Sequence, residues 1–423
     1  MEVRAGFAEG NPANLANSGG VPLHRARASR ASKTYHLLVT ATHPRTVLLG
    51  CSFASLELLY RYARERGRFS PGEMTVVEPL EHHEYIPLVH EVAGGSRVRS
   101  DLLFDTPAFC RAIGAEWVAG AAARLDEARR LVILADGREL EYDRVVIAVG
   151  SVPDVPERFA TMSAVIPAKF LGSAESLRRR LHVLRVSGAS VLRVVVAGAG
   201  ITGVEWSAEL AGARVDGARI ATTLVCAHPR ILPRFQLGVA RRAERALRTL
   251  GVEILIARRV TGITAEQVVL EGGIGLSFDV VVWAGGVRAN PLVAALCLPA
   301  TDSGHITVTP RLAVPGHDGV YAMGDCARII DDTGRTWPTM ERAIEAIWQG
   351  AYLARRFAAG WAPDTGPAHR LRRDFFYGIS LGPSRGAIVY KHFITTGKFE
   401  HWFRRWLQWA YYARFRLLGR RLK

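Results

Sequence analysis

Two kinds of hydrophobic spacing alternate along most of this chain. "TVLLG", from Thr46, is a continuous apolar run; "FASLELLYRYARERG" repeats its apolar positions at helical spacing; "MTVVEP" is continuous again. Short continuous runs predict buried strands, and helical spacing predicts a helix with a buried face. Strand, helix, strand in that order calls for parallel strands joined by a right-handed crossover. Further on, "DRVVIAVG" reads as a strand, the proline-rich "SVPDVPE" as a connection and "AESLRRRLHVLRV" as a helix. The alternation then restarts. "VLRVVVAGAGITGVEWSAELA" feeds "ATTLVCAHPRIL", followed by "RRAERALRTLGVEILIA" and "FDVVVWAGG". "GVYAMGDCA" leads through a turn to a helix from Met340 to Phe357. Two such units in one chain predict an α/β fold made by internal duplication, not one long sheet.

The second unit carries the sharper chemistry. Gly198, Gly200 and Gly203 form G-x-G-x-x-G between a β-branched strand and a helix. The first glycine permits a tight turn, the second lets backbone approach a pyrophosphate, and the third allows close helix–strand packing. The helix N-terminus then faces the phosphates. At the end of the next strand an NAD ribose calls for an acidic acceptor, but "LVCAHPR" offers Cys226, with Arg230 four places on. A thiol does not hold a diol as a carboxylate does, whereas Arg230 suits a 2′-phosphate, so NADH and NADPH both stay open.

The first unit has the same layout in blurred form. Gly50 is the turn glycine, but Ser52 and Ser55 stand where the other two glycines belong. Ser52 narrows the phosphate approach while bringing a hydroxyl that suits a phosphate oxygen, and Ser55 loosens the helix–strand contact. "MTVVE" ends in Glu78, an acid placed for the ribose hydroxyls of an adenosine. Gly150 closes "DRVVIAVG" and Gly285 lies in the turn of "FDVVVWAGG", both at cofactor-side strand ends. In "GVYAMGDCA", Gly324 and Asp325 end a short strand, where an aspartate can accept hydrogen bonds from a ribityl chain.

Taken together these stretches resemble the type II NADH dehydrogenases, within the flavoproteins that carry two dinucleotide-binding domains. The resemblance runs from about Thr46 to Arg420 through "EPLEHHEYIPLVHEVAGG", "YDRVVIAVGSVPD", "PRILPRF", "VVWAGGVRANP", "GVYAMGDCA" and "WPTMERAIE". It implies two Rossmann-like dinucleotide-binding domains, the second inserted in the first. FAD would occupy the first and a nicotinamide nucleotide the second, with a membrane quinone as electron acceptor. Gly50 and Glu78 would then hold the FAD adenosine half, His83 would lie by the segment covering the cofactor, and Asp325 would hold its ribityl–pyrophosphate region. Glu205, in "TGVE", would help seat the reduced pyridine ring. Glu341 and Glu345 stand where the family has two glutamines, and carboxylates there would relay protons to the quinone. The expected order is a peripheral basic tail over 1–44, FAD-binding parts over 45–161 and 305–364, a NAD(P)H-binding domain over 162–304 and a membrane-association region over 365–423.

Charge changes the picture only at the ends. The formal net charge is +16, and much of it sits in "KFEHWFRRWLQWAYYARFRLLGRRLK". At helical spacing Trp402, Trp406 and Trp409 share a flank with Phe403, Leu407 and Ala410. Arg404, Arg405, Arg414, Arg416, Arg420, Arg421 and Lys423 supply cations. Indoles favour the headgroup zone and arginines snorkel to lipid phosphates, so an amphipathic helix on an anionic lipid surface is expected. A homodimer interface is the alternative, and nucleic acid is set aside because no binding module accompanies the charge. Cys51, Cys110, Cys226, Cys297 and Cys326 are scattered without a CxxC, which argues against a disulfide framework, a metal site or a dithiol redox centre. With no apolar leader near Met1 and no spanning-length run, the expected location is the cytoplasmic face of a membrane, held peripherally. The expected activity is hydride transfer to FAD from NADH, which the resemblance puts ahead of NADPH, and electron transfer onward to quinone, without proton pumping. Two alternatives stand beside it: a soluble NADPH-dependent flavin reductase with another acceptor, and a catalytically silent membrane-bound protein of the same fold.

Overall fold

The continuous apolar runs become the interiors of two parallel sheets in a computed structural model that describes residues 43–337, 341–362, 364–372, 375–391 and 393–423. The tail expected over 1–44 lies, up to Thr42, outside the described residues. β1 (Thr46–Leu49), β2 (Met74–Glu78), β3 (Glu116–Ala119) and β4 (Arg144–Ile147) belong to the first sheet. The chain then builds a second sheet from β5 (Val165–Pro167), β6 (Leu192–Ala197), β7 (Ala218–Val225), β8 (Glu253–Leu255) and β9 (Val280–Trp283). It returns to the first with β10 (Val320–Ala322). The first sheet runs β10-β4-β1-β2-β3 and the second β5-β9-β6-β7-β8, every one of these pairings parallel.

The two orders correspond around the glycine turn. In each, the strand before the turn is central, flanked by β2 and β4 in the first sheet and by β7 and β9 in the second, while the outermost strand beyond β4 or β9 comes last in the first sheet and first in the second. Parallel strands buried on both faces read as unbroken Val/Ile/Leu runs, which is why the sequence shows no alternation here. The two crossings between the sheets pair with each other, Ser151–Pro153 antiparallel to Val287–Ala289. Val293, Leu296 and Leu298 already pack in the core of the first sheet, although they lie inside the 162–304 stretch.

Helices cover the sheet faces. α1 (Phe53–Arg66) follows β1, the single-turn-and-a-half α2 (Val89–Gly94) lies near the second sheet's layer, and α3 (Ile201–Gly212) follows β6. α4 (Ala343–Ala358) presses on α1 so closely that a Cβ at Gly350 would fall 2.0 Å from the Ala54 carbonyl oxygen. The expected helix therefore begins at Ala343; Met340 lies outside the described residues.

After α4 come three antiparallel strands, β11 (Tyr377–Ser380), β12 (Gly386–Tyr390) and β13 (Phe393–Gly397), and then the long α5 (Lys398–Leu422). α5 buries Arg404, Gln408, Tyr411, Tyr412, Phe415 and Leu418, one stripe at helical spacing. Tyr411, Tyr412, Phe415 and Leu418 join the core of the first sheet. The opposite side leaves Trp402, Trp406 and Trp409 exposed, at 56%, 41% and 62%.

The arginines of α5 divide differently from the sequence expectation. Arg404 pairs with Glu205 at 2.9 Å, Arg405 with Glu91 at 3.0 Å, and Arg414 with Glu57 at 2.5 Å. These three offset buried carboxylates and are not free surface cations, leaving Arg416, Arg420, Arg421 and Lys423 exposed. Among the described residues no helix is long and apolar enough to cross a membrane.

Candidate nucleotide cleft

Both glycine turns open into one cleft of about 1370 Å³ that runs between the carboxyl ends of the two sheets. Strand ends at the point where the strand order reverses are where open parallel sheets leave room for ligands. The turns are built alike. Gly50 N donates to Val77 O and Gly198 N to Val225 O, each at 2.9 Å. Both glycines have positive φ, +90° and +109°, and both press on the neighbouring strand's exit. A Cβ would lie 2.6 Å from Ala148 O at the first and 2.3 Å from Ala284 O at the second. No other residue fits either place without moving backbone.

The two turns part company at their third and sixth positions. A Cβ at Gly203 would sit 1.8 Å from Gly198 O, so the helix rests directly on the turn. At the equivalent place Ser55 is buried and its hydroxyl donates to Gly50 O at 2.6 Å. Ser55 thus holds the contact by a hydrogen bond where the other turn uses absence of a side chain. It is not on the cleft wall. Ser52 is, with Oγ 3.4 Å from His83 Nδ1, while a Cβ at Gly200 would meet nothing within 4 Å. Neither α1 nor α3 has a side-chain cap, so their first-turn N–H groups are left for an anion.

Around the first turn, Glu78 ends β2 and its carboxylate accepts from Cys51 N at 2.8 Å and Leu80 N at 3.1 Å. Burial pushes its pKa up, and the two backbone bonds oppose that rise. His83 is buried against Phe53, its ring centroid 4.6 Å away, and burial lowers its pKa to about 3, so it is neutral. Its Nε2 has no hydrogen-bond partner among the described residues. Across the cleft Asp325 accepts from Ser151 Oγ at 2.7 Å, and Lys169 Nζ donates to Ser151 O and Oγ at 2.6 Å while standing 3.8 Å from Asp325. Sequence reasoning missed Lys169 and Ser151. Their place at the two ends of the first crossing, Ser151 after β4 and Lys169 just past β5, carries no periodic signal.

Around the second turn, Cys226 directly follows β7 on the cleft wall, buried, its thiol donating to Arg230 O at 3.3 Å. Burial raises its pKa, so the position carries no charge. Arg230 does not face the cleft. Its guanidinium donates to Leu232 O, Pro233 O and Phe235 O at 3.1, 2.7 and 2.7 Å, tying down its own loop. The guanidinium expected to meet a 2′-phosphate is thus committed to its own loop, and Arg230 is not among the residues lining the cleft. His228, Arg258 and Arg259 line the cleft beside Cys226 instead.

The three acids expected to act in catalysis are dispersed. Glu205 lines the cleft, with Oε1 accepting from Ser380 N at 2.8 Å and Arg404 Nη2 at 2.9 Å, and Oε2 lying 3.8 Å from His90 Nδ1. Burial, outweighing Arg404, raises its pKa to about 7. Glu341 also lines the cleft, paired with Arg328 and 3.7 Å from His305. Glu345 is not on the cleft wall. It is buried against His369 Nε2 at 3.1 Å and Gln349 Nε2 at 3.2 Å, and Gln349 Oε1 in turn accepts from Gly324 N at 2.6 Å. Gly150 and Gly285 are cleft residues, a Cβ at Gly150 meeting nothing within 4 Å and one at Gly285 falling 2.7 Å from Trp283 Nε1.

The site fits two dinucleotides on its own geometry: paired turns, uncapped helix starts, open space at Gly200 and Gly150, and an unpartnered buried nitrogen on His83. Among the described residues no group of side chains is arranged for a metal. Comparison with known proteins agrees with this architecture. The family model described as pyridine nucleotide-disulphide oxidoreductase matches residues 44–350. A demethylphylloquinone reductase, NdbB, of Synechocystis sp. is 27% identical over 78% of this chain and 81% of its own length. A type II NADH:quinone oxidoreductase of Haemophilus influenzae is 25% identical over 71% of this chain and 77% of its own. The solved structure of NDH2 from Plasmodium falciparum in complex with NADH superposes with a TM-score of 0.76 at 14% identity, covering 89% of this chain and 97% of that one.

Proposed function

Because this chain belongs to the pyridine nucleotide-disulphide oxidoreductase family and is an oxidoreductase, we propose that it is an FAD-carrying NAD(P)H:quinone oxidoreductase held at a membrane surface. The observation that carries this reading is the pair of matched glycine turns opening into one cleft. The quinone assignment draws on the named activities of the Synechocystis and Haemophilus relatives. We read each sheet with its turn as a dinucleotide-binding domain.

The residues have separable tasks. Gly50 and the start of α1 would receive the FAD pyrophosphate, and Ser52 would add a hydroxyl there. Glu78 has lone pairs beyond its two backbone bonds with which to accept ribose hydroxyls. Ser151 and Lys169 fix Asp325, which would accept from the ribityl chain. Gly198, Gly200 and Gly203 would let the second nucleotide's pyrophosphate approach α3. A flavin bound at the first turn would supply the two-electron chemistry between reduced nicotinamide and quinone.

The chain supplies position and protons. Glu205, titrating near neutrality on the cleft wall, can hold or release a proton at Oε2 as a quinone is reduced. Glu341 offers a second carboxylate, held by Arg328. Glu345 acts one step removed, holding Gln349 and through it the Gly324–Asp325 turn. The exposed indoles of α5 would rest in the headgroup zone and bring the cleft to a lipid-soluble acceptor.

The direct test is cofactor content. The purified protein should be yellow and release FAD on denaturation, in a ratio near one per chain. Colourless protein that also fails to take up added FAD contradicts the proposal.

A further inference from the structure

Resting on the reading of the second turn as the nicotinamide-nucleotide site, we propose that this site selects the 2′-phosphorylated nucleotide, NADPH, and does so through Arg258 and Arg259. The end of β7 decides between the two nucleotides, because the adenosine ribose lies against it when a pyrophosphate sits at the glycine turn. A carboxylate there binds the 2′-hydroxyl of NADH and repels a phosphate. This chain has Cys226 there, buried and neutral, its one hydrogen already given to Arg230 O. The position therefore neither accepts the diol strongly nor repels an anion.

What surrounds it is cationic. Arg258 N donates to Cys226 O at 3.0 Å and Ala257 N to His228 O at 2.9 Å, so the segment after β8 is stitched to the segment after β7. That stitching sets Arg258, Arg259 and His228 together on the cleft wall. Both arginines are solvent-exposed, and Arg258 uses one Nη1 on its neighbour's carbonyl, Ala257 O, at 3.2 Å. Among the described residues no carboxylate pairs with either. Two guanidinium groups without a carboxylate partner among the described residues, beside a neutral strand end, match a phosphate monoester, which takes bidentate hydrogen bonds and carries about −1.5 to −2 charge at neutral pH. The cleft acids Asp325 and Glu341 are already engaged, with Ser151 and with Arg328.

The site this assigns is not the one the sequence offered. Arg230 lies on the same loop as Cys226 but spends its guanidinium on that loop's carbonyls. The phosphate ligands come from the next strand's exit, nearly thirty residues on by the numbering of Arg258.

The test uses fragments that differ only in the phosphate, and it needs no turnover. Adenosine 2′,5′-bisphosphate and adenosine 5′-monophosphate are titrated by calorimetry into the full-length protein with its cofactor. The bisphosphate should bind at least about tenfold tighter, roughly 1.4 kcal/mol. The preference should shrink as salt rises. In the Arg258→Ala/Arg259→Ala variant it should fall to within about threefold, well under 1 kcal/mol, while monophosphate binding persists and reports an intact fold. In Cys226→Asp the preference should invert. Equal binding of the two fragments by the native protein overturns the NADPH assignment but leaves the nucleotide site standing. A preference that survives loss of both arginines, or monophosphate binding that disappears with them, overturns their role. If neither fragment binds the native protein, the nicotinamide site itself is wrong and both readings fall.

Discussion

Glu205 shows how one side chain joins the cleft to the C-terminal helix. It lies on α3, one residue past Val204, faces the cleft and accepts from Arg404 of α5. Its pKa, raised from 4.5 to about 7, means the folded state holds a proton that the unfolded chain releases across that interval. Its contribution to stability is therefore fully present below pH 4.5 and is lost as pH rises through about 7. Glu205→Gln has no proton to lose, so its stability relative to the native protein should improve by roughly 2–3 kcal/mol between about pH 5 and about pH 8. Urea unfolding at the two pH values measures the difference. A constant offset would mean that Glu205 stays ionised throughout. At this scale the sequence was legible where a residue's type fixes its conformation, as at Gly50 and Gly198, whose positive φ and tight contacts only glycine tolerates. It was illegible where a side chain had two equally local uses. Arg230 and Ser55 both bond carbonyls of their own turn, and nothing in spacing separates that use from a phosphate contact.

At the scale of the element, α5 is a helix with two allegiances. The stripe Arg404, Gln408, Tyr411, Tyr412 and Phe415 holds it to the body, with Tyr412 OH donating to Leu102 O at 2.9 Å and Gln408 bonding Asp101 O. The opposite stripe keeps three tryptophans in water, with Trp402 and Trp406 stacked at 6.5 Å. Aromatic and basic content announced the helix, but content does not say which cations serve the surface. Arg404, Arg405 and Arg414 are drawn inward by the buried carboxylates of Glu205, Glu91 and Glu57, the last two of which also pair with Arg97 and Arg61. On the proposed reading, attachment to a membrane would accordingly fall on the indoles more than on the arginines. Each indole that buries on the order of 100 Å² contributes roughly 2 kcal/mol. Replacing Trp402, Trp406 and Trp409 by serine should weaken binding to anionic vesicles at least about tenfold, with the unfolding midpoint little changed since these positions face outward. Vesicle co-sedimentation reads this directly. Undiminished binding would move the attachment elsewhere.

At the scale of the whole molecule, the account rests on duplication. Two sheets with matching order around the glycine turn, two turns with the same 2.9 Å bond and one cleft between their ends would, on the proposed reading, make a site in which two nucleotides meet. The repeat was readable from the chain because parallel strands buried on both faces leave unbroken apolar runs, and the glycine turn repeats at fixed offsets from them. The cleft's far wall was not. Lys169 and Ser151 come from the two ends of a crossing, and Arg258 from the exit of β8, segments with no periodicity of their own. The central claim is that electrons pass through this cleft from a reduced nicotinamide to a quinone. Anaerobic mixing of the purified protein with NADPH, then with a soluble quinone analogue, while the flavin spectrum is recorded, tests it most directly. The account predicts bleaching of the flavin absorbance by the nucleotide, faster with NADPH than with NADH, and its full return on adding the quinone. A spectrum that neither nucleotide bleaches, or a bleached one that the quinone leaves unchanged, would contradict it.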